Sequence, residues 1–189
     1  MNKTQLRKEY LEARKQLSEE QFEELNAPLR SRLFTELAEK KGLIHIFLSI
    51  QNKKEVDTWP ILRWLWDKGW DTCTSISHFD DNRLSHVLID AQATYSENKW
   101  GVPEPINTQT VLPIEIGFVL VPMLCFDLHG HRVGYGKGYY DRFLSECRKG
   151  VVKIGLCMAE PVEKILDASS QDITMDLCIT PRQVYRFEK

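Results

Sequence analysis

Three glycines at alternate positions, Gly134, Gly136 and Gly138, separate an apolar run, Phe118 to Pro122, from a stretch, Tyr139 to Arg148, whose apolar residues recur at helical spacing. A strand, a glycine-rich turn and a helix in that order constrain the fold more than any other feature of the chain. Glycine tolerates positive φ and has no Cβ, so successive N–H groups can converge on one point and an anion can approach the backbone closely. A helix beginning near Tyr139 would add its N-terminal N–H groups and the positive end of its dipole. Arg132 offers a planar fork and Lys137 a flexible point charge beside that nest. Phosphate is the natural guest.

Two familiar glycine signatures do not fit. The phosphate loop of nucleotide hydrolases needs Gly-Lys followed by Ser or Thr, but Gly138 follows Lys137; a dinucleotide fingerprint starting at Gly134 needs a small residue where Tyr139 stands. The plainer alternative is a turn that only links strand to helix. Three alternating glycines flanked by Arg, Lys and Tyr-Tyr-Asp are hard to explain that way.

Around this stretch the chain alternates strands and helices, which argues for an α/β fold with a mainly parallel sheet in a single domain of 189 residues. Residues 3 to 17 have the pattern of an amphipathic helix with a basic side that includes Lys3 and Arg7, one turn apart. Ser18 and Gln21 form the sequence of a capping box for a second helix, in which Pro28 predicts a kink or a boundary. Leu43 to Ile50 reads as a strand. Thr58, Pro60 and Gly69 punctuate a crossover helix. Trp70 to Ile76 and Leu84 to Ile89 read as strands about the turn Asp80-Asp81-Asn82, with His78 and His86 as surface or half-buried side chains. Val151 to Cys157 predicts a strand, Glu160 to Leu166 a helix, and Asp172 to Pro181 a short final strand.

A net charge of -2 gives no bulk attraction to nucleic acid or to acidic membranes. No segment approaches the roughly 18 apolar residues of a membrane span, and the N-terminus lacks a signal-peptide core, so a soluble, cytoplasmic protein is expected. Five cysteines without paired spacing read as reduced, mostly buried thiols.

From Pro122 to Asp141 the chain runs Pro-x-x-x-Phe-Asp-x-x-Gly-x-Arg-x-Gly-x-Gly-x-Gly-Tyr-Tyr-Asp. This resembles the long, specific signature of the 5-formyltetrahydrofolate cyclo-ligase family, also called 5,10-methenyltetrahydrofolate synthetases, and the resemblance extends over essentially the whole chain. It implies a sheet flanked by helices, a monomer, and ATP-dependent closure of 5-formyltetrahydrofolate to the 5,10-methenyl form with Mg²⁺. It also implies roles for individual residues. ATP would be bound by Lys3, Arg7, Arg132, Gly134, Tyr135, Gly136, Lys137, Gly138, Tyr139 and Tyr140, with Lys137, Arg132 and Tyr140 nearest the chemistry. The folate would meet Leu48, Glu55, Trp100, Glu104, Tyr135, Gly138 and Tyr139. Asp141 and Asp176 would be the magnesium ligands.

On their own, several of these residues read more plainly: Lys3 and Arg7 as a solvated basic face, Glu55 as an exposed loop carboxylate, Trp100 as core. Asp127 reads as a loop cap, with contact to a metal-bound water as the alternative. One departure stands out: Thr74-Ser75-Ile76-Ser77-His78 occupies the place where family members commonly have Pro and a basic residue. Two rival functions remain open at this point. One is a sugar-phosphate isomerase or phosphotransferase using the same nest; the other is a non-catalytic folate- or nucleotide-binding relative.

Overall fold

The computed structural model describes residues 1–78, 83–98, 101–106 and 108–188. In chain order the elements are α1 (Lys3–Lys15), α2 (Glu19–Leu37), β1 (Leu43–His45), α3 (Trp59–Asp67), β2 (Asp71–His78), β3 (Arg83–Ile89), β4 (Tyr95–Glu97), β5 (Pro103–Pro105), β6 (Thr110–Val111), β7 (Phe118–Pro122), β8 (Cys125–Phe126), β9 (Arg132–Val133), α4 (Tyr139–Glu146), β10 (Val152–Leu156), β11 (Leu177–Ile179) and β12 (Val184–Arg186). The chain forms two compact units, one of Met1–Lys40, Val121–Lys137 and Lys153–Lys189, the other of Lys41–Leu120 and Gly138–Val152. The fold class is α/β, as expected.

In the second unit the strand order is β7-β1-β2-β3-β6. β1 runs parallel to β2 and β7, with Ile44 opposite both Thr72 and Phe118, and β3 and β6 continue antiparallel. A strand flanked on both sides is mostly apolar where its faces are covered, and Ile44 is fully buried; His45, buried beside it, is the polar exception. α3 packs against β2 and buries Ile61, Leu62 and Leu65, each contributing about 1.5–3 kcal/mol as an upper estimate. Pro60 falls in the first turn of α3, where its missing donor costs nothing, and Gly69 follows the helix at φ +71.

The strand expected over Leu43 to Ile50 stops at His45. The Ile46 amide still reaches the Cys73 carbonyl, but the amides of Ser49 and Ile50 then bond to the Thr58 hydroxyl and the Glu55 carboxylate. Side-chain acceptors have replaced the ladder. The Asp80-Asp81-Asn82 turn lies outside the described residues.

In the first unit both helices open on capping boxes, Asn2 with Gln5 and Ser18 with Gln21. Of the kink or boundary expected at Pro28, the boundary is not found, because α2 continues to Leu37: Leu29, Leu33 and Leu37 are fully buried, and that burial outweighs one lost backbone hydrogen bond. β10 and β11 are parallel, and β12, which the sequence reading did not foresee, adds antiparallel. The segment from Glu160 to Leu166 is not helical. Val162 bridges Asp127 in strand fashion, its amide bonds to the Phe126 carbonyl, and the Ile165 amide bonds to the Asp127 carboxylate. Leu6, Cys125, Val133 and Ile165 form a buried cluster that seats α1 beside the β8–β9 hairpin.

Candidate active site

The apolar run Phe118–Pro122 forms β7 and α4 begins at Tyr139, as expected, but the chain reaches Gly134 through the β8–β9 hairpin, which the sequence does not predict. Gly136 and Gly138 have φ +86 and +70, the left-handed region that disfavours other residues. Gly138 is the N-cap of α4 and supplies no side-chain cap. Gly134 departs from expectation: its φ is not left-handed, and a Cβ there would meet nothing within 4 Å. The fold itself does not demand glycine at 134.

Arg7 reaches this arm from α1. Its Nε donates to the Gly134 carbonyl at 2.8 Å, and a Cβ on Gly136 would lie 2.9 Å from its Cζ. Gly136 is therefore favoured by its φ, and a Cβ there would push the Arg7 guanidinium aside. Lys3 has a different partner, its ammonium bonding both oxygens of Asp172 at 2.7 and 2.6 Å. Burial alone would raise the Asp172 pKa, but the Lys3 and Ser169 hydrogen bonds and the charges of Lys3 and His131 hold it below the usual carboxylate value. Arg132 is buried on β9, and its Nη1 donates to the Ile173 carbonyl at 2.5 Å. The short stretch from Asp172 to Ile173 thus touches two of the expected ATP-binding cations.

Nothing in the sequence singles out Asp172 as the partner of Lys3; Asp176, the expected metal ligand, lies four residues on. Asp176 Oδ2 accepts from the amide and the ammonium of Lys153, at 2.7 and 2.9 Å. Asp127 is a loop cap, as expected: Oδ1 accepts from the amides of His129 and His131, Oδ2 from that of Ile165, each at 3.0 Å. Tyr135 is half-buried, and Lys137 is exposed at the tip of the arm.

The second unit holds the other expected residues. Tyr139, Tyr140 and Asp141 form the first turn of α4, half-buried, with the Tyr139 hydroxyl 3.5 Å from the His78 carbonyl. Leu48 is buried. Glu55 is not the exposed carboxylate its neighbours suggest: it is buried, and Oε2 accepts from the Ile50 amide at 2.8 Å. Beside it, Lys54 has φ +45, the one left-handed non-glycine among the described residues. Glu104 lies extended in β5, accepting from Asn98 Nδ2 at 2.9 Å. Trp100 lies outside the described residues. His86 is buried, not at the surface or half-buried as expected, because β3 carries it beneath α4.

Among the described residues no three His, Cys, Asp or Glu side chains cluster to hold a metal. A hard divalent cation here would draw on one or two carboxylates and on the oxygens of its own ligands, the pattern usual for Mg²⁺ with phosphates.

Comparison with known proteins decides the family. The model of the 5-formyltetrahydrofolate cyclo-ligase family matches residues 1–181. The chain belongs to that family. Its members are ligases, and this chain is an enzyme of that class. It is 26% identical to the 5-formyltetrahydrofolate cyclo-ligase of Escherichia coli K12 over 179 residues, covering 92% of this chain and 97% of the relative. A probable cyclo-ligase of Schizosaccharomyces pombe is 30% identical over 121 residues, 54% of this chain and 59% of the relative. Two solved 5,10-methenyltetrahydrofolate synthetases share the fold. The Aquifex aeolicus structure has a TM-score of 0.81 at 31% identity, covering 100% of this chain and 94% of that one. The Mycoplasma pneumoniae structure has a TM-score of 0.73 at 25% identity, covering 96% and 99%. Among the described residues no helix is long and apolar enough to cross a membrane.

Proposed function

We propose that this enzyme closes 5-formyltetrahydrofolate to 5,10-methenyltetrahydrofolate at the expense of ATP, with Mg²⁺, releasing ADP and phosphate. The observation that carries the reading, in a chain of this family, is the glycine arm: two left-handed glycines lead into the N-terminus of α4, and Arg7 is fixed on the Gly134 carbonyl. Because nothing in the fold requires glycine at 134, the close approach of a ligand is its best explanation.

The formyl oxygen is a poor leaving group. Transfer of the γ-phosphoryl group to that oxygen, with loss of ADP, gives an iminophosphate; N10 attacks its carbon, the N10 proton is lost, and the C–O bond breaks to release phosphate. Such a path needs ligands held in line and charge neutralised as it moves. Lys137, exposed at the tip of the arm, would follow the transferred group, with Arg132 and Tyr140 beside it. Arg7 would meet the phosphates with its terminal nitrogens, since its Nε is engaged by Gly134. Lys3, Tyr135, Gly136, Gly138 and Tyr139 complete the proposed nucleotide contacts. Leu48, Glu55, Trp100 and Glu104, with Tyr135, Gly138 and Tyr139, would hold the folate, and the strained Lys54 backbone beside Glu55 fits a loop kept for binding.

Mg²⁺ would neutralise phosphate charge, held by Asp141 and a second carboxylate. Asp176 is the sequence-based choice, but Asp172 touches Lys3, itself an expected nucleotide contact, and that observation favours Asp172. Asp172→Asn and Asp176→Asn should separate the two through the Mg²⁺ concentration needed for half-maximal activity. The same reading has the enzyme working as a cytoplasmic monomer on small molecules.

The test follows absorbance of the methenyl product with purified protein, 5-formyltetrahydrofolate, ATP and Mg²⁺. Product that requires both ATP and Mg²⁺, and is lost in Lys137→Ala and Asp141→Ala, is the expected result. Folded wild-type protein that binds ATP yet forms no product would contradict the reading and favour a binding relative.

A further inference from the structure

Beneath α4 lies a polar cluster that the proposed reaction does not use. His45, Ser75 and His86 come from the neighbouring strands β1, β2 and β3, and both histidine rings are buried. The Ser75 hydroxyl stands between them, 2.7 Å from His45 Nε2 and 3.1 Å from His86 Nδ1. A hydroxyl has one hydrogen, so it donates to one ring and accepts from the other, and two neutral imidazoles satisfy the relay. The outer nitrogens, His45 Nδ1 and His86 Nε2, are buried without a hydrogen-bond partner. An apolar trio would pack here without that cost.

α4 closes directly over the relay. The Phe143 ring lies 4.0 Å from that of His86 and 4.8 Å from that of His45, and Tyr140 meets His45 edge-on at 6.0 Å. The groups that face the pair are neutral: the Ser75 hydroxyl and, opposite His45 in register, the Cys73 thiol on β2; Tyr140 and Phe143 on α4. Burial keeps that thiol protonated, with Cys147 and Glu115 adding to the effect. No carboxylate or cationic side chain bonds to either ring among the described residues.

We propose that His45, Ser75 and His86 are a positioning unit for α4, holding through Tyr140 and Phe143 the turn that carries Tyr139, Tyr140 and Asp141. Burial, and then the neighbouring His86, keep His45 neutral far below its ordinary range, and burial lowers His86 to about 4. A histidine released from this packing titrates near 6.5, so protons favour the released state increasingly as pH falls from 6.5 toward about 4. Acid therefore loosens α4 through this pair.

The nucleotide arm of the test rests on the proposed site, whereas the helix arm does not. The helix arm compares amide-exchange protection factors over residues 139–146 in the ligand-free protein as pH is lowered. His45→Gln and His86→Asn keep a hydrogen-bonding atom near the bonded nitrogen but cannot take up a proton; His86→Leu removes the bond. Wild type should lose protection in α4 on the acid side, the double variant His45→Gln/His86→Asn should keep it, and His86→Leu should have reduced protection at every pH. Weaker ATP binding in His86→Leu, by about 10- to 100-fold, should accompany its loosened helix, as expected for a displaced binding group. An acid-side loss unchanged in the double variant, or wild-type protection in His86→Leu, would overturn the inference. Should His86→Leu not fold, the double variant still decides. Wild type that binds no ATP would sink the site reading alone, leaving the protection factors to judge the positioning unit.

Discussion

Two irregular stretches carry the expected ligand contacts, and they are held by opposite means. The arm from Gly134 to Lys137 is fastened by a charged side chain distant in sequence, Arg7, and its tip is exposed. The loop from Ser49 to Thr58 is fastened from within, by the buried Glu55 carboxylate on the Ile50 amide and the Thr58 hydroxyl on the Ser49 amide. A phosphate would meet the terminal nitrogens of Arg7 while its Nε still holds Gly134, so the arm would gain a partner without losing one. The loop is closed by its own side chains. Its shape is set before a ligand arrives.

The largest effect should come from Gly136→Ala. It forces alanine into φ +86 and against the Arg7 guanidinium, and the left-handed backbone alone costs roughly 1–2 kcal/mol. Denaturant midpoints should fall and the KM for ATP should rise at least several-fold. In the Arg7→Ala background the further loss should be smaller, because the overlap has gone; equal losses in both backgrounds would mean that Arg7 does not lie on the arm.

Glu55→Ala should follow, leaving a buried amide without this acceptor at a cost of about 1–3 kcal/mol, measured by urea unfolding. The KM for folate should rise while that for ATP holds. Glu55→Gln, which keeps an acceptor oxygen, should recover most of the stability. Arg7→Lys sharpens the comparison from the other side. It retains the charge but cannot anchor on Gly134 and present a fork together, so ATP binding should weaken by about tenfold, with little change in the unfolding midpoint.

The smallest effect concerns Asp172. Its pKa in the folded protein lies below the unfolded value of 3.8, so its contribution to stability is present above that value and lost as pH falls through the folded one. Asp172→Asn should therefore flatten acid unfolding below about pH 4, the ordinary range of an aspartate. The pH dependence of its stability between 5 and 8 should match wild type.

Local features were legible in the sequence, and features that depend on tertiary partners were not. The glycine arm, α4, the Ser18 capping box and the crossover α3 are each specified within a few residues, and each stands where it was read. The end of β1 could not be read, because Thr58 and Glu55, distant along the loop, take the amides a neighbouring strand would otherwise hold. Pro28 does not end α2, since local propensity yields to three buried leucines. The sequence does not reveal that Asp172 pairs with Lys3, nor that β3 buries His86. Lys3 and Arg7 were legible as a cationic pair, but not the different partners each one takes.

The most direct measurement of the proposed chemistry places ¹⁸O in the formyl group of 5-formyltetrahydrofolate and analyses the released phosphate by mass spectrometry. Transfer of the γ-phosphoryl group to the formyl oxygen predicts one ¹⁸O in each phosphate formed with the methenyl product. Unlabelled phosphate accompanying product would contradict a phosphorylated formyl intermediate, and with it the roles proposed for Lys137 and the glycine arm.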